Sequence, residues 1–406
     1  MDMKQLAFSL KGISTYKNIM QEKLMVEALA LVTALTNHET DKALDSYTNI
    51  FYQLREEGYL GIGTWLFDKL CYTPSHFAKM IEQGTEDPAL ENCAMRDIET
   101  LILLARTDCD TFIQEIAKGF EVEYHPTLNN LPRWQGLVDY DFHTIEEFYK
   151  TKGYGIFAKY RGFLWNEKGL VPVTELDSPK PSELLGYSLQ RDQVIENTRV
   201  LMSGKPAQNV LLFGDAGTGK SASVKSLLSF EGMEWLRIIQ VDKSHVGTLP
   251  TLMPSLARKK LKFIIFIDDL AFDQDDNTYS LLKTVLEGGL QRRPENVVIY
   301  ATSNRRHLIR QTVSERAGDE MDTAETISEK TALAERFGLR IPYLTMSKEE
   351  YLALVSHFDQ GKSGLSTHNL HVKAMMWEIR HGGRTPRVAK QFILSLLNGT
   401  EEEEDN

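Results

Sequence analysis

The sequence has few cysteines and no long apolar run. Its three cysteines, Cys71, Cys93 and Cys109, are isolated from one another, which argues against a disulfide framework or a zinc site and predicts reduced, buried thiols. The densest apolar stretch, FIIFI, has the length of a strand and is too short to cross a bilayer. The opening segment, MDMKQLAFSLKGISTYKN, lacks the continuous apolar stretch of a signal peptide. These absences favour a cytoplasmic protein.

The charge of the chain is unevenly distributed. The net charge is −11, the first 180 residues are acidic, and residues 181–400 are slightly basic. The end of the chain, residues 400–406, is predicted to be a disordered acidic tail. This balance disfavours nonspecific binding of nucleic acid but leaves room for a local basic patch. Since no helix-turn-helix or zinc-finger signature is present, nucleic acid is a possible partner and not the favoured one.

Hydrophobic patterns divide the chain into regions. Residues 1–173 have apolar side chains at helical spacing and predict a mostly α-helical N-terminal domain. Residues 174–345 contain five continuously apolar runs that are typical of parallel strands covered by helices on both faces. These runs span 209–214, 235–242, 262–269, 296–304 and 339–344. Residues 346–399 carry helix-capping signals and predict a small helical subdomain. The prediction is an α/β fold with a three-layer arrangement around a five-stranded parallel sheet.

The segment GDAGTGKS, residues 214–221, fits the phosphate-loop pattern G-x-x-x-x-G-K-[ST] between an apolar strand and a helix. Its glycines allow backbone amides to form a concave nest for phosphate oxygens at the positive end of the helix. Lys220 is expected to reach the β- and γ-phosphates, and Ser221 to bind Mg²⁺. The predicted nucleotide-binding residues are Gly214, Asp215, Ala216, Gly217, Thr218, Gly219, Lys220, Ser221 and Ala222.

A second motif, FIIFIDD, places two carboxylates after a buried strand. The carboxyl end of such a strand lies beside the phosphate loop, so Asp268 is predicted to hold the Mg²⁺ shell. Asp269 is predicted to orient or deprotonate the attacking water. The alternative is that the two carboxylates only cap the strand.

From about residue 181 to residue 398 the sequence resembles the AAA+ ATPases. The segment that lines their adenine pocket is similar to ELLGYSLQRDQVIENT, and their sensor-1 strand is similar to IYATSN. The box that carries their arginine finger resembles ERFGL. The sensor-2 helix of their lid resembles GGRTPRVAKQF. The resemblance implies ATP as the nucleotide and catalytic roles for Asn304, Arg336 and Arg387. The similarity is closer still to the uncharacterised bacterial family named domain of unknown function 815.

The arginine assignments leave alternatives open. Arg336 is the match for the finger, but it could instead form an intramolecular salt bridge, and Arg305 or Arg306 could supply the finger. On the lid, Arg384 is the second choice after Arg387. A finger that acts on a neighbouring subunit requires an oligomer, so the resemblance implies self-association on nucleotide.

The leading hypothesis is a Mg²⁺-dependent AAA+ ATPase that remodels or regulates a macromolecular partner bound by its helical N-terminal domain. Most AAA+ hydrolases have an Asp-Glu pair where this chain has Asp268-Asp269. The Asp-Asp pair resembles the one in replication initiators and helicase loaders. This difference predicts slow turnover of ATP. The alternatives are a nucleic-acid-associated initiator or loader and an ATP-gated scaffold with negligible turnover. The absence of N-K-x-D and LSGGQ argues against a GTPase and a transporter ATPase.

Overall fold

A computed structural model describes residues 2–270, 278–287, 293–304 and 335–399 of the chain. The chain divides into two compact units, Met1–Lys159 and Tyr160–Asn406. The predicted tail, residues 400–406, lies outside the described residues. In the ranges that are described, no helix is both long enough and apolar enough to span a bilayer.

The first unit is helical, as the sequence predicts for the N-terminal region. Its described α-helices are α1 Met3–Lys11, α2 Lys17–Met20, α3 Lys23–Asn37, α4 Thr40–Glu56, α5 Ile62–Tyr72, α6 His76–Gln83, α7 Pro88–Arg106, α8 Cys109–Ala117, α9 His125–Asn129, α10 Phe142–Lys152 and α11 Ile156–Lys159. Local sequence explains where they begin. Asp87 accepts hydrogen bonds from the first turn of α7, and Pro88 follows at a position that needs no donor.

The helices of the first unit share one hydrophobic core. Large side chains such as Trp65, Tyr47 and Phe112 are fully buried in it. Cys71 and Cys109 are also buried there, whereas Cys93 is only half-buried, so the expectation of three buried thiols holds for two of them. All three are free thiols, and burial raises the pKa of Cys71 to about 12.

The second unit contains a seven-stranded sheet with the order β2-β1-β4-β5-β6-β3-β7. Its strands are β1 Gly162–Asn166, β2 Gly169–Pro172, β3 Val210–Gly214, β4 Leu236–Val241, β5 Lys262–Ile267, β6 Val297–Ser303 and β7 Leu339–Tyr343. Strands β3 to β7 correspond to the five apolar runs and are mutually parallel, which confirms the predicted α/β fold class. Every residue of β6 is buried, as expected for a central parallel strand.

Strands β1 and β2 differ from the sequence prediction. They form an antiparallel hairpin, and β1 pairs in parallel with β4. The sheet therefore has seven strands rather than five, and the two compact units divide after Lys159 rather than after residue 173. The apolar runs of the hairpin are short, and the hairpin is poorly buried, since β1 has two buried residues and β2 has none. Its pairing with β4 is a long-range contact that local sequence does not reveal.

Helices flank the sheet and then form a separate bundle. The described α-helices of this unit are α12 Ser188–Met202, α13 Lys220–Lys225, α14 Leu249–Ala257, α15 Thr278–Glu287, α16 Lys348–Asp359, α17 Thr367–His381 and α18 Pro386–Asn398. Helices α16 to α18 have their own core around Tyr351, Ala374 and Phe392. We call these three helices the lid. They agree with the predicted helical subdomain, and Thr385 caps α18 with Pro386 at its first position.

Candidate functional site

The phosphate loop connects the end of β3 with the start of α13. At Gly214 the backbone has φ 129°, and an added Cβ would lie 2.2 Å from the carbonyl oxygen of Tyr343. Gly217 has φ 77°, and its Cβ would lie 3.1 Å from Thr385 Oγ1 and from Arg387 Cβ. Both positions therefore need glycine, the first because β7 approaches closely and the second because the lid does.

Lys220 is the central cation of the loop. Its side chain is folded inward, and the residue is only 5% exposed. The Nζ atom donates to the carbonyl oxygens of Gly214 at 3.1 Å and Asp215 at 2.6 Å. Burial lowers the pKa of Lys220, while nearby carboxylates, Asp215 first among them, oppose that shift. Phosphate oxygens bound at the loop would interact with the same ammonium charge of Lys220 that now contacts the carbonyl oxygens of Gly214 and Asp215.

The first turn of α13 faces the end of β5. Ser221 Oγ donates to Asp268 Oδ1 at 2.5 Å. A hydroxyl and a carboxylate oxygen are the hard ligands that Mg²⁺ takes in proteins, usually together with water and the phosphates of the substrate. Because the first N–H groups of a helix have no acceptor within it, those of Lys220, Ser221 and Ala222 suit an anion beside the metal. These residues thus fit a Mg²⁺–nucleotide complex.

The ends of β5 and β6 hold the two predicted acidic residues. Asp268 Oδ1 accepts a second hydrogen bond, from Thr302 Oγ1 at 2.6 Å. Asp269 has a left-handed backbone, φ 52°, and its Oδ1 accepts from Asn304 Nδ2 at 2.8 Å. The structure therefore brings together the predicted residues of three segments: the phosphate loop, the acidic pair and the sensor-1 strand.

Asp215 has a different environment from the rest of the loop. Its backbone N–H donates to Tyr343 O at 2.9 Å. Its Oδ2 accepts from Thr345 N at 2.8 Å and from Thr345 Oγ1 at 2.5 Å. Asp215 was predicted to bind nucleotide as part of the loop, but these contacts connect the loop to the segment between β7 and the lid. Sequence reasoning did not identify Thr345, which belongs to no motif.

The lid touches the phosphate loop through the start of α18. The N–H of Arg387 donates to Gly217 O at 3.3 Å, and the side chain of Arg387 is exposed. Arg384, the other candidate, has its Nε 3.9 Å from Glu378 Oε1 on α17. Of the two candidate arginines, Arg387 is therefore the one beside the loop.

Arg336 lies away from these residues. It is exposed and precedes β7, whose first residue, Leu339, is in register with Val210 at the start of β3. Because the strands are parallel, Arg336 is at the amino edge of the sheet, whereas the loop and the acidic pair are at its carboxyl edge. The structure does not bring Arg336 to the site of its own chain. Arg305 and Arg306, the alternative fingers, lie outside the described residues.

A pocket of about 560 Å³ adjoins the loop and is lined by residues within 185–190 and 342–357. On one side the ring of Tyr187 stacks on that of Tyr343 with centroids 5.1 Å apart, and its hydroxyl donates to Leu344 O at 2.6 Å. Thr345 lines the pocket and also holds Asp215 of the loop. The pocket thus includes the segment that was predicted to line an adenine site.

Sequence comparison identifies the family of the chain. Residues 158–400, more than half of the chain, match the family described as "Protein of unknown function (DUF815)". The chain belongs to this family. With the phosphate loop after β3, the parallel order β7-β3-β6-β5-β4 and a helical lid, this DUF815 protein has an AAA+ P-loop fold.

The DUF815 chain is also similar to individual known proteins. The proteasome-activating nucleotidase of Methanoculleus marisnigri is 24% identical over 232 residues, which cover 53% of this chain and 54% of that protein. The chain thus spans about half the length of this curated relative. Among solved structures, the RuvB Holliday junction branch migration motor of Thermotoga maritima is 13% identical, with a TM-score of 0.31 and coverage of 54% and 71% of the two chains. A variant of the same RuvB is 15% identical, with a TM-score of 0.35 and coverage of 52% and 62%.

Proposed function

We propose that this DUF815 protein binds Mg²⁺–ATP and hydrolyses it, with slow turnover. The observation that carries the proposal is the 2.5 Å contact of Ser221 with Asp268, next to a buried lysine in the phosphate loop. A metal ligand pair and a phosphate-binding cation at adjoining strand ends are what nucleoside triphosphate hydrolysis requires. The adjoining pocket is large enough for a nucleoside and is partly aromatic.

Each residue has a chemical role in the proposal. The α13 N–H groups and Lys220 would bind the phosphates, and Ser221 with Asp268 would hold Mg²⁺, which when bound would supply positive charge against the phosphates. Asp269 orients the attacking water and accepts its proton, and Asn304 fixes the Asp269 carboxylate through the 2.8 Å bond. Aspartate is one methylene shorter than glutamate, so its oxygen reaches less far toward the water. This shorter reach supports slow turnover.

Two contacts support coupling between nucleotide and the lid. Asp215 of the loop is bonded to Thr345, which precedes the lid, and Gly217 is bonded to Arg387 within it. A phosphate that displaces the loop would therefore bias the position of the lid. We propose that this motion acts on a macromolecular partner bound by the helical N-terminal unit.

Self-association completes the proposal. Arg336 is exposed at the edge of the sheet opposite its own site, so it can stabilise transferred phosphate only in a neighbouring copy. An arginine supplied in this way contributes about 10³–10⁵-fold in related phosphoryl transfer.

The direct test is ATP binding and phosphate release by the purified full chain, with Mg²⁺ and with EDTA. We expect Mg²⁺-dependent turnover that rises per subunit with protein concentration. A chain that binds no ATP would refute the proposed function. ATP binding without phosphate release at any protein concentration would favour the ATP-gated scaffold instead.

A further inference from the structure

Thr302 on β6 contacts both acidic residues of the site, although no motif assigns it a role. The residue is 2% exposed and lies between β3, where it pairs with Leu212, and the end of β5. Its Oγ1 donates to Asp268 Oδ1 at 2.6 Å and accepts from the N–H of Asp269 at 2.9 Å. Its carbonyl oxygen accepts from Leu270 N at 2.7 Å. One residue therefore bonds to all three residues that follow β5.

The direction of these hydrogen bonds is fixed by chemistry. A backbone N–H can only donate, so the hydroxyl must accept from Asp269 and use its single hydrogen for the carboxylate of Asp268. A hydroxyl that donates to a carboxylate forms a charge-assisted bond, which is stronger than a neutral one. The geometry orients an oxygen of Asp268 and the backbone of Asp269 through the same atom.

Asp269 needs this support because its backbone is unusual. It has φ 52°, a left-handed conformation that costs an aspartate some energy and persists only where neighbours hold it. The regular β5–β6 ladder ends at the pair of Ile267 and Ala301. Beyond that pair, the hydrogen bonds from the residues after β5 to Thr302 still join this segment to β6. These bonds fix the backbone of Asp269 and thereby the direction of its side chain.

We propose that Thr302 is a positioning residue of the ATPase site, one hydroxyl that orients both the Mg²⁺-holding and the water-orienting carboxylate. The inference rests on the proposed function, since it assigns those roles to Asp268 and Asp269. In this proposal Thr302 acts through its bonds to the two aspartates and does not itself bind phosphate or metal. A purely structural threonine would affect stability without a selective effect on Mg²⁺ use or on turnover.

The test compares Thr302→Val, which keeps the shape and removes the hydroxyl, with Thr302→Ser, which keeps the hydroxyl. The matched control is Thr198→Val, because Thr198 is also fully buried and its hydroxyl is bonded to Val194 O and Tyr300 away from the acidic pair. For Thr302→Val we expect kcat to fall about 10–100-fold and the Mg²⁺ concentration for half-maximal activity to rise, as for residues that orient metal ligands. The KM for ATP should stay within about twofold, and Thr302→Ser should recover most of the turnover.

Thermal unfolding of all variants separates stability from positioning. If Thr302→Val and Thr198→Val lose similar stability and only the former loses kcat, the inference stands. Wild-type kcat in Thr302→Val, equal losses in both valine variants, or failure of Thr302→Ser to recover would overturn it. If the wild type binds ATP without turnover, Mg²⁺-enhanced ATP binding is the readout, and Thr302→Val should lose the enhancement. Absence of ATP binding by the wild type would instead refute the proposed function.

Discussion

At the scale of single residues, Lys220 is held in a charge balance that nucleotide would change. The ammonium group is buried, and two carbonyl oxygens solvate it. Burial lowers its pKa, and the anionic phosphates of a bound nucleotide would raise it again by direct attraction. Binding of ATP at alkaline pH should therefore be accompanied by uptake of a proton.

Replacing Lys220 tests this balance. We expect Lys220→Ala to weaken ATP binding about 10–100-fold, because a hydrogen bond to a charged group contributes roughly 1.5–3 kcal/mol. The matched control is Lys225→Ala on the same helix, whose amine contacts Asp177 at 3.4 Å and which should leave affinity unchanged. Isothermal titration calorimetry measures both variants. Equal affinities in wild type and Lys220→Ala would contradict the assignment.

The pH dependence of the same titration follows from the direction of the pKa shift. Protonated Lys220 binds the phosphates, so affinity is highest below the lowered pKa of the free protein and declines as pH rises through it. The decline should end above the higher pKa of the complex. In Lys220→Ala this component of the pH profile should be missing, and its persistence would assign the dependence to another group.

Asp269 is expected to separate binding from hydrolysis. Asp269→Asn keeps the size of the side chain and removes its basicity, so kcat should fall about 10²–10⁴-fold, the usual contribution of a general base. ATP affinity should change little, because the proposal assigns phosphate binding to Lys220 and Mg²⁺ binding to Ser221, and gives Asp269 only the attacking water. Phosphate release and equilibrium binding measure the two quantities separately. A parallel loss of affinity and turnover would place Asp269 in binding rather than in water activation.

Sequence predicted those site residues that are contiguous in motifs. The motifs GDAGTGKS and FIIFIDD can be recognised from their own letters and from the apolar residues beside them. The structure places Lys220, Ser221 and Asp268 close to one another. Thr302 and Thr345 were not predicted, because their roles depend on which strand neighbours which and not on adjacent letters.

At the scale of elements, the phosphate loop and the lid are connected by hydrogen bonds as well as by the chain. Thr345 follows β7, precedes α16 and bonds the Asp215 carboxylate twice. A carboxylate beside a phosphate site repels the bound anion unless hydrogen-bond donors partly neutralise the carboxylate. Thr345 supplies two such donors to Asp215. The contact therefore bonds the Asp215 carboxylate to the segment between β7 and α16.

Thr345→Val should uncouple the loop from the lid. It removes the hydroxyl bond and keeps the backbone bond, and the loss of one charge-assisted bond should weaken ATP binding by about tenfold. We expect faster nucleotide dissociation, which stopped-flow displacement of a fluorescent ATP analogue measures. Thr367→Val, at an exposed position on α17, is the matched control. If both variants release nucleotide at the wild-type rate, the Asp215–Thr345 contact has no part in retention.

The strands show which elements sequence can predict. Strands β3 to β6 are buried along nearly their whole length, because both of their faces are covered. The edge strand β7 buries Ile341 and Tyr343 and exposes Arg340 and Pro342. All five strands were predicted. The β1–β2 hairpin was missed because most of its residues are half-buried or exposed and show no regular alternation of buried and exposed positions. Phe163 is the large side chain of β1 that is almost completely buried, and its partner on β4 is Ile239. Pairing with β4 therefore places the hairpin in the sheet, and this long-range contact is not visible in the local pattern.

At the scale of the whole molecule, the site residues and Arg336 occupy opposite edges of one sheet. If Arg336 acts on the site of a neighbouring copy, the two copies would meet head to tail, with one surface of a copy against a different surface of the next. Such contacts build rings or filaments rather than a symmetric pair. The sequence motifs suggest which arginine would act across such an interface, but the number of copies depends on surfaces that no motif encodes.

Mixing two inactive variants tests whether Arg336 acts in trans. The Arg336→Ala variant keeps the hydrolytic site and lacks the arginine finger. The Asp269→Asn variant keeps the arginine finger and has a defective hydrolytic site. Each variant alone should therefore have little turnover. In a head-to-tail oligomer of the 1:1 mixture, roughly a quarter of the interfaces join an intact site to an intact finger, and activity should recover to about that fraction of wild type. Arg340→Ala, an exposed arginine on β7, replaces Arg336→Ala in the control mixture and should be active without a partner. Phosphate release is measured above the concentration at which native mass shows assembly. If the mixture is as inactive as its components while wild type hydrolyses ATP, Arg336 is not the finger, and Arg305 and Arg306 become the residues to replace.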